Sequence, residues 1–116
     1  MLSGALLGLL VQTALDIMVL TDEIGEAEFF ASRLTRAQTL QLLGSLAKTA
    51  ANLPADTRVR MPEIDWDAWA ALAAILPEAS QHPFQIWVAI KELTPKTLQQ
   101  LHDYKNKQPQ LFSMVP

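Results

Sequence analysis

The chain has 116 residues, of which 50% are hydrophobic and 18% are charged, with a formal net charge of −3. This length suits one domain with a single modest core, and the composition is far from that of a disordered chain. The absence of cysteine excludes a disulfide framework, a cysteine-based zinc site and a thiol nucleophile. The slightly acidic balance disfavours a protein that coats nucleic acid, because such proteins carry a basic footprint.

The first predicted element is an apolar helix from about Leu2 to Thr21. It contains one charged residue, Asp16, and no Lys or Arg precedes the apolar run as it would in a secretory signal. Because a carboxylate inside a membrane span is costly, we interpret the segment as a buried helix of a cytoplasmic protein that makes no membrane contact. The helix is apolar on most of its faces, which favours burial against a second subunit as well.

The predicted dimer contact lies on one side of this helix. Gly4 and Gly8 have the GxxxG spacing that lets two helices approach closely. We expect both glycines to lie near the twofold axis of a homodimer, where a patch pairs with itself. The same contact is expected to include Leu6, Leu9 and Leu10.

A short acidic helix and a longer one are expected next. The start of the short helix is crowded by Asp22, Glu23, Glu26 and Glu28. Carboxylates are favoured there by the helix dipole. Thr35 and Gln38 have the spacing of a capping box and are expected to begin the longer helix. That helix is expected to stop before Pro54.

Asp65 is predicted to cap the following helix, after a loop that runs from Pro54 to Pro62. Trp66 and Trp69 lie three residues apart on this helix, and we interpret both as core anchors.

Prolines mark the remaining helix boundaries. Pro77 ends the tryptophan-bearing helix, and Pro83 begins the next one, since a missing N–H is harmless in a first turn. Phe84 is expected on the inward face of that helix. Thr94 and Pro95 repeat the pattern and are expected to open the last helix.

These elements together predict an all-α, up-and-down antiparallel bundle, because no alternating run of strand length is present. The predicted domain covers residues 1–107. The polar and proline-containing segment 108–116 is expected to be a loosely ordered tail.

Generic catalytic and metal-binding patterns are absent from the sequence. Glu63, Asp65 and Asp67 surround a helix cap, and we interpret them as solvated rather than as an acid–base pair. There is no Glu-x-x-His element, no glycine-rich phosphate loop and no G-x-S-x-G elbow. We expect no cofactor and no metal.

Three basic residues are candidate contacts to phosphate or RNA. Arg58 and Arg60 are near neighbours on the predicted loop, and Arg36 belongs to the long helix before it. Arg58 and Arg60 are also consistent with a solvated surface pair, so we expect at most a weak RNA contact.

Three segments carry a resemblance to a known family: "AEFFASRLTRAQTLQLLGSLAKTAANLP" (27–54), "MPEIDWDAW" (61–69) and "FQIWVAIKELTPKTLQQL" (84–101). In order and spacing they resemble the HepT-like proteins of the all-α HEPN superfamily, over residues 14–101. The residues in register are Phe29, Ala31, Arg33, Thr35, Leu53, Pro54, Pro62, Glu63, Ile64, Trp66, Trp87 and Pro95.

The resemblance implies a bundle of four to six helices that forms a homodimer. It also implies pairing with a minimal nucleotidyltransferase (MNT) in a toxin–antitoxin system. Active relatives are metal-independent ribonucleases that carry an Arg-x(4–6)-His motif near the dimer interface. The motif is often followed by x-Tyr, and that tyrosine is the target of nucleotidylation by the partner.

This chain departs from the family at that motif. The motif should fall between Trp66 and Trp87, and the interval contains no Arg or Lys. Ala73 stands where the arginine belongs, and His82, directly before Pro83, is the only imidazole available. We therefore predict a catalytically degenerate member that retains dimerisation and partner binding.

Two alternatives remain open at this stage. The first is an active ribonuclease toxin that uses His82, or instead Lys96, His102 and Tyr104, which imitate the family motif with Lys in place of Arg. Lysine does not match the bidentate phosphate contact of arginine. The second alternative is a structural subunit that presents substrate to a minimal nucleotidyltransferase.

Overall fold

Every regular element in the computed structural model, which describes residues 2–112, is a helix. The α-helices are α1 (Leu2–Thr21), α2 (Glu26–Ala31), α3 (Arg33–Asn52), α4 (Ala55–Val59), α5 (Trp66–Ile75), α6 (Pro83–Val88) and α7 (Thr94–Lys107). Two 3₁₀ segments, Leu76–Gln81 and Pro109–Phe112, and one π turn, Ala89–Leu93, complete the fold. The all-α class predicted from the sequence is confirmed.

The core forms where α1 packs against α3 and α7, with α5 closing against α3. Its largest fully buried side chains are Leu7, Leu10, Ile17, Phe29, Leu43, Leu46, Met61, Ile64, Trp69, Ile86, Ile90 and Leu101. Trp69 Nε1 donates a hydrogen bond of 3.0 Å to Thr97 Oγ1, which joins α5 to α7 inside the core. Trp66 packs at the core margin and donates to the Met61 carbonyl at 3.1 Å. Both tryptophans are therefore core anchors, as the sequence predicts.

The bounds of α1 agree with the sequence prediction. The helix ends at Thr21, where Lys91 Nζ donates a hydrogen bond of 2.8 Å to the Thr21 carbonyl. Glu23 then adopts a positive φ of 61°, which turns the chain toward α2. This left-handed conformation is unfavourable for a residue with a Cβ atom.

The predicted capping box at the start of α3 is wrong. The cap is Ser32, whose hydroxyl accepts from the Thr35 amide at 3.4 Å, and Thr35 lies inside the first turn. Only Ser32 separates α2 from α3, so the longer helix begins at Arg33. The prediction that the segment between Pro54 and Pro62 is a loop is also wrong in part, because the segment contains a short helix, α4. The cap of α5 is correct, since Asp65 Oδ1 accepts from the Ala68 amide at 2.9 Å.

Thr94 and Pro95 do not open a separate helix. The chain is helical without a break from Pro83 to Lys107, and the π turn Ala89–Leu93 lies just before the proline. Because a proline ring clashes with the carbonyl four residues earlier, a helix that contains one must widen or bend. Thr94 Oγ1 donates to the Ala89 carbonyl at 2.7 Å within this widened segment.

The chain after α7 continues into the 3₁₀ segment Pro109–Phe112, which packs on α1 and α7. Leu111 is buried there. The predicted domain limit at residue 107 and the loosely ordered tail stay predictions, and residues 113–116 of that tail lie outside the described residues.

Candidate functional site

The loop between α5 and α6 is where the family motif is expected, and it holds His82. The His82 amide donates to the Ala79 carbonyl at 3.0 Å, and the His82 carbonyl accepts from the Ile86 amide at 3.1 Å. These backbone bonds fix the residue at the start of α6. The half-buried imidazole forms no hydrogen bond with any residue in 2–112. Within the described part of the chain, His82 is therefore held by backbone hydrogen bonds, and no hydrogen bond orients its ring for proton transfer.

A cation does come close to this loop, but from α3. Arg36 lines a cavity of about 250 Å³ together with Ser80 and Pro83, residues that flank His82 in sequence. His82 itself is not part of the cavity wall, and no hydrogen bond joins Arg36 to it. The fold thus brings a guanidinium to the loop without forming a guanidinium–imidazole pair.

The other two candidate phosphate contacts lie apart from this cavity, at the end of α4. Arg58 is half-buried, and its Nε atom has no hydrogen-bond partner among the described residues. Arg60 is exposed and ends the helix. Neither lines the cavity that contains Arg36, so the structure does not bring the three arginines together.

The three candidates on α7 point to different sides of the helix. Since each helical residue turns the chain by about 100°, His102 lies about 120° around the axis from Lys96 and about 160° from Tyr104. Lys96 is exposed at the rim of a groove beside α5, and His102 is exposed. Tyr104 is only 7% exposed. The set therefore does not converge on one reacting atom.

Tyr104 has a structural partner. Its hydroxyl donates a hydrogen bond of 2.6 Å to Glu63 Oε1, and Gln100 Nε2 donates to the Glu63 carbonyl at 2.7 Å. Burial raises the pKa of the Tyr104 hydroxyl above its ordinary value of 10.0, and the hydrogen bond to Glu63 raises that pKa further. The hydroxyl is thus protonated and engaged, which is the opposite of an activated nucleophile.

An apolar groove lies between α5 and the continuous helix formed by α6, the π turn and α7. Its volume is about 460 Å³ and its walls are mostly apolar, with Glu92 and Lys96 among the few charged residues. Phe84 stands in this groove with 70% of its surface exposed. The prediction that Phe84 faces inward is therefore wrong, because Ile86 and Ile90 occupy the buried face of this helix.

The predicted dimer residues on α1 divide into buried and accessible groups. Leu10 is 1% exposed and Gly4 is buried, so both belong to the chain's own core. Leu6 is half-buried, whereas Leu9 is 47% exposed and Gly8 has no atom of the fold within 4 Å of its missing Cβ position. The accessible stripe continues along the helix at Leu15 and Val19. The homodimer stays a prediction. Within 4–21 the exposed residues are Ala5, Gly8, Leu9, Gln12, Leu15, Asp16 and Val19.

The same helix is the one described element that is long and apolar enough to cross a membrane. The stretch Gly4–Thr21 has a mean hydropathy of 1.8, and 39% of it is buried inside the fold. Length and composition of this kind are shared by core helices, signal sequences and spans, so the cytoplasmic location stays a prediction. Within residues 2–112, no group of three or more His, Asp or Glu side chains is arranged to hold a metal ion.

Comparisons of the chain with protein-family models, with curated proteins and with solved structures gave no match. Sequence reasoning named Arg36 but missed its surroundings, because Phe30 and Ser80 are 50 positions apart and only the packing of α2 and α3 against the α5–α6 loop brings them together. The exposure of Phe84 also carried no sequence signal, since an aromatic residue at helical spacing is usually a core residue.

Proposed function

We propose that the chain is a catalytically degenerate HepT-like protein that acts by binding: it associates with a second copy and with a minimal nucleotidyltransferase. The observation that carries this proposal is the absence of an assembled acid–base site. Within residues 2–112 the His82 imidazole has no hydrogen-bond partner and no cation bonded to it, and the α5 segment that should supply arginine has none. General acid–base catalysis needs a positioned proton-transfer group, and RNA cleavage also needs a cation for the phosphate.

Accessible apolar surface supports a binding role. Leu9, Val19 and Phe84 are all substantially exposed on helices whose other faces are buried. Large apolar side chains that remain exposed on a folded domain mark contact surfaces when they occur in a stripe or a groove. The described residues include such a stripe on α1 and such a groove between α5 and α6.

The absence of catalysis is tested by incubating the purified chain with transfer RNA and a single-stranded homopolymer RNA in the presence of a metal chelator. We expect no cleavage above the buffer blank, and the same result for His82→Ala. The matched control is His102→Ala, which removes the other histidine of the chain at an exposed position. Cleavage by the wild type and the His102→Ala variant that disappears in His82→Ala would overturn the degenerate assignment.

The binding role is tested by co-expressing the tagged chain with a minimal nucleotidyltransferase encoded beside it, recognised by a G-S-x(10)-D-x-D pattern. We expect the two proteins to elute together through affinity and size-exclusion steps, while the untagged nucleotidyltransferase alone passes through the affinity column. Separation of the two proteins on size exclusion would refute partner binding.

The alternative of an active toxin built on α7 has no geometric support, since Lys96, His102 and Tyr104 point apart. It predicts growth arrest on expression that Lys96→Ala or His102→Ala relieves. We expect cultures that express the wild type and the two variants to grow alike.

A further inference from the structure

The cavity that contains Arg36 combines apolar walls with one cationic side chain. It lies between α3 and the turn that connects α5 to α6, and its volume is about 250 Å³. Its lining combines two polar side chains with five apolar or proline residues: Arg36, Ser80, Phe30, Leu40, Ala79, Pro83 and Ile86. A small concave site with apolar walls and a few polar groups is the usual form of a small-molecule site.

The guanidinium of Arg36 has unused binding capacity. One Nη1 hydrogen bond goes to the Phe30 carbonyl, and this is its only side-chain hydrogen bond within residues 2–112. No carboxylate in that range forms an ion pair with it. A guanidinium has five N–H donors, so four remain without an acceptor from the fold.

The partial burial of Arg36 bears on how its positive charge is stabilised. Arg36 is half-buried, and charged groups that are withdrawn from water are normally paired with an opposite charge. The bond to Phe30 also holds the side chain in place, so a ligand would not have to order a flexible arginine. Arg36 is therefore a pre-positioned cation that no carboxylate of residues 2–112 neutralises.

We propose that this cavity binds a phosphate monoester carried on a small apolar body. The planar guanidinium fork matches two oxygens of a phosphate group, and the Ser80 hydroxyl is available to donate to a third. A carboxylate would have to share its two oxygens among the guanidinium fork and the Ser80 hydroxyl, whereas a phosphate offers the hydroxyl an oxygen of its own. The body of the ligand packs against Phe30 and Ile86, and at about 30 Å³ per water the cavity has room for the equivalent of about eight waters.

The proposal depends on this cavity alone and not on the proposed function. It needs neither a partner protein nor RNA, and it assigns no catalytic step. Binding here together with failed co-purification would refute the proposed function only. Absence of binding here together with successful co-purification would refute this proposal only.

The test is a titration of the purified chain with phenyl phosphate, followed by calorimetry and by amide chemical shifts. We expect saturable binding, with the largest shift changes at Ser80 and Ile86. Arg36→Gln should weaken the affinity by about 10- to 100-fold, as expected for a charge-assisted hydrogen bond. The matched control is Arg33→Gln, which makes the same charge change at an exposed position on the same helix and should leave the affinity unchanged.

Two further ligands distinguish the ligand class, and one further variant keeps the test valid if Arg36→Gln does not fold. Inorganic phosphate and benzoate should each bind at least about threefold more weakly than phenyl phosphate, because the first lacks the apolar body and the second lacks the third oxygen. Arg36→Lys keeps the charge without the fork, so it is expected to bind more weakly than wild type even if Arg36→Gln fails to fold. Equal affinity of wild type and Arg36→Lys, equal affinity for benzoate, or no saturable binding at all would each overturn the proposal.

Discussion

At the scale of single residues, Tyr104 belongs to a sequence pattern that suggests catalysis, but its hydroxyl has a structural role. In sequence it forms a His-x-Tyr pattern with His102. In the fold its hydroxyl is turned away from His102 and donates to Glu63, which fixes the segment before α5 against α7. A buried tyrosine normally finds a hydrogen-bond partner of this kind, and the bond accounts for the position of the residue without a catalytic role.

We predict that Tyr104→Phe lowers the free energy of unfolding by about 1 kcal/mol near neutral pH, because one hydrogen bond is lost while the ring stays packed. The raised pKa adds a pH dependence. Above the ordinary tyrosine pKa of 10.0 the unfolded chain releases the Tyr104 proton before the folded chain does, so the stabilisation is fully present below pH 10.0 and declines above it.

Urea unfolding of both proteins between neutral and strongly alkaline pH checks this prediction. The stability difference between wild type and Tyr104→Phe should narrow as the pH rises above 10.0. Because the chain has one tyrosine, phenolate absorbance in the folded protein reports Tyr104 directly. A folded-state titration at or below the ordinary value would contradict the assignment.

Glu23 is the second residue whose conformation leads to a testable prediction about stability. Its φ of 61° is the only positive φ at a non-glycine position in residues 2–112. Glycine adopts this region without a steric penalty, so Glu23→Gly should raise the free energy of unfolding by up to about 1 kcal/mol. Its neighbour Asp22 has an ordinary φ, so Asp22→Gly should not stabilise the protein. Thermal unfolding of the two variants side by side distinguishes them.

At the scale of elements, the unbroken helix from Pro83 to Lys107 determines the position of Lys91. Its π turn places Lys91 beside the end of α1, where Nζ donates to the Thr21 carbonyl and lies 5.1 Å from the centre of the Trp87 ring. A cation at a helix C-terminus is stabilised by the carbonyls that have no partner there. The Trp87 ring also contacts Phe29 and Phe30 of α2, so Lys91 and Trp87 together connect α1, α2 and α6.

We predict that Lys91→Met lowers the free energy of unfolding by about 1 kcal/mol, since it removes both the helix-end charge and the cation–π contact. The matched control is Lys48→Met on α3, an exposed lysine without a hydrogen bond in the described part of the chain, which should change stability by less than about 0.5 kcal/mol. Chemical denaturation measures both values. Equal effects of the two substitutions would show that the contact at Thr21 does not contribute.

At the scale of the whole molecule, one side of α1 presents apolar side chains that the chain's own core does not cover. Gly8, Leu9, Leu15 and Val19 form an apolar stripe on the accessible side of α1, which the exposed and hydrogen-bonded pair Gln12 and Asp16 interrupts. At its end, Val19 borders α3 across a shallow groove. A second copy of the chain can cover this stripe with the same stripe across a twofold axis. Gly8 has open space at its Cβ position, which lets a second helix approach closely there.

We predict a dimer at micromolar concentration that becomes a monomer when Leu9 and Val19 are both changed to Gln. Sedimentation equilibrium measures the mass. The matched control is Val59→Gln on α4, because Val59 is 74% exposed and Val19 is 76% exposed. A wild-type monomer, or recovery of the wild type only in the membrane fraction of cells, would contradict a dimer through this stripe.

Much of the fold was predictable from local signals. The bounds of α1, the stop before Pro54, the Asp65 cap and the start at Pro83 all depend on residues within a few positions of each boundary. Two boundary predictions were wrong for a physical reason. Thr35 is a residue type that caps helices, but Ser32 lies earlier in the chain and caps α3 instead. Pro95 does not end the helix, because the π turn before it accommodates the proline ring while packing holds the helix in place.

By itself, the sequence determined the helical class, the tryptophan anchors and the absence of a basic residue between Trp66 and Trp87, because each of these follows from residue identity and local spacing. Only the tertiary structure decided which side chains meet. The contact of Tyr104 with Glu63 and the shared cavity of Arg36 and Ser80 each join positions more than 40 apart in the chain. Hydrophobic patterning places a residue on a face, but the packing of helices against one another decides what that face contacts.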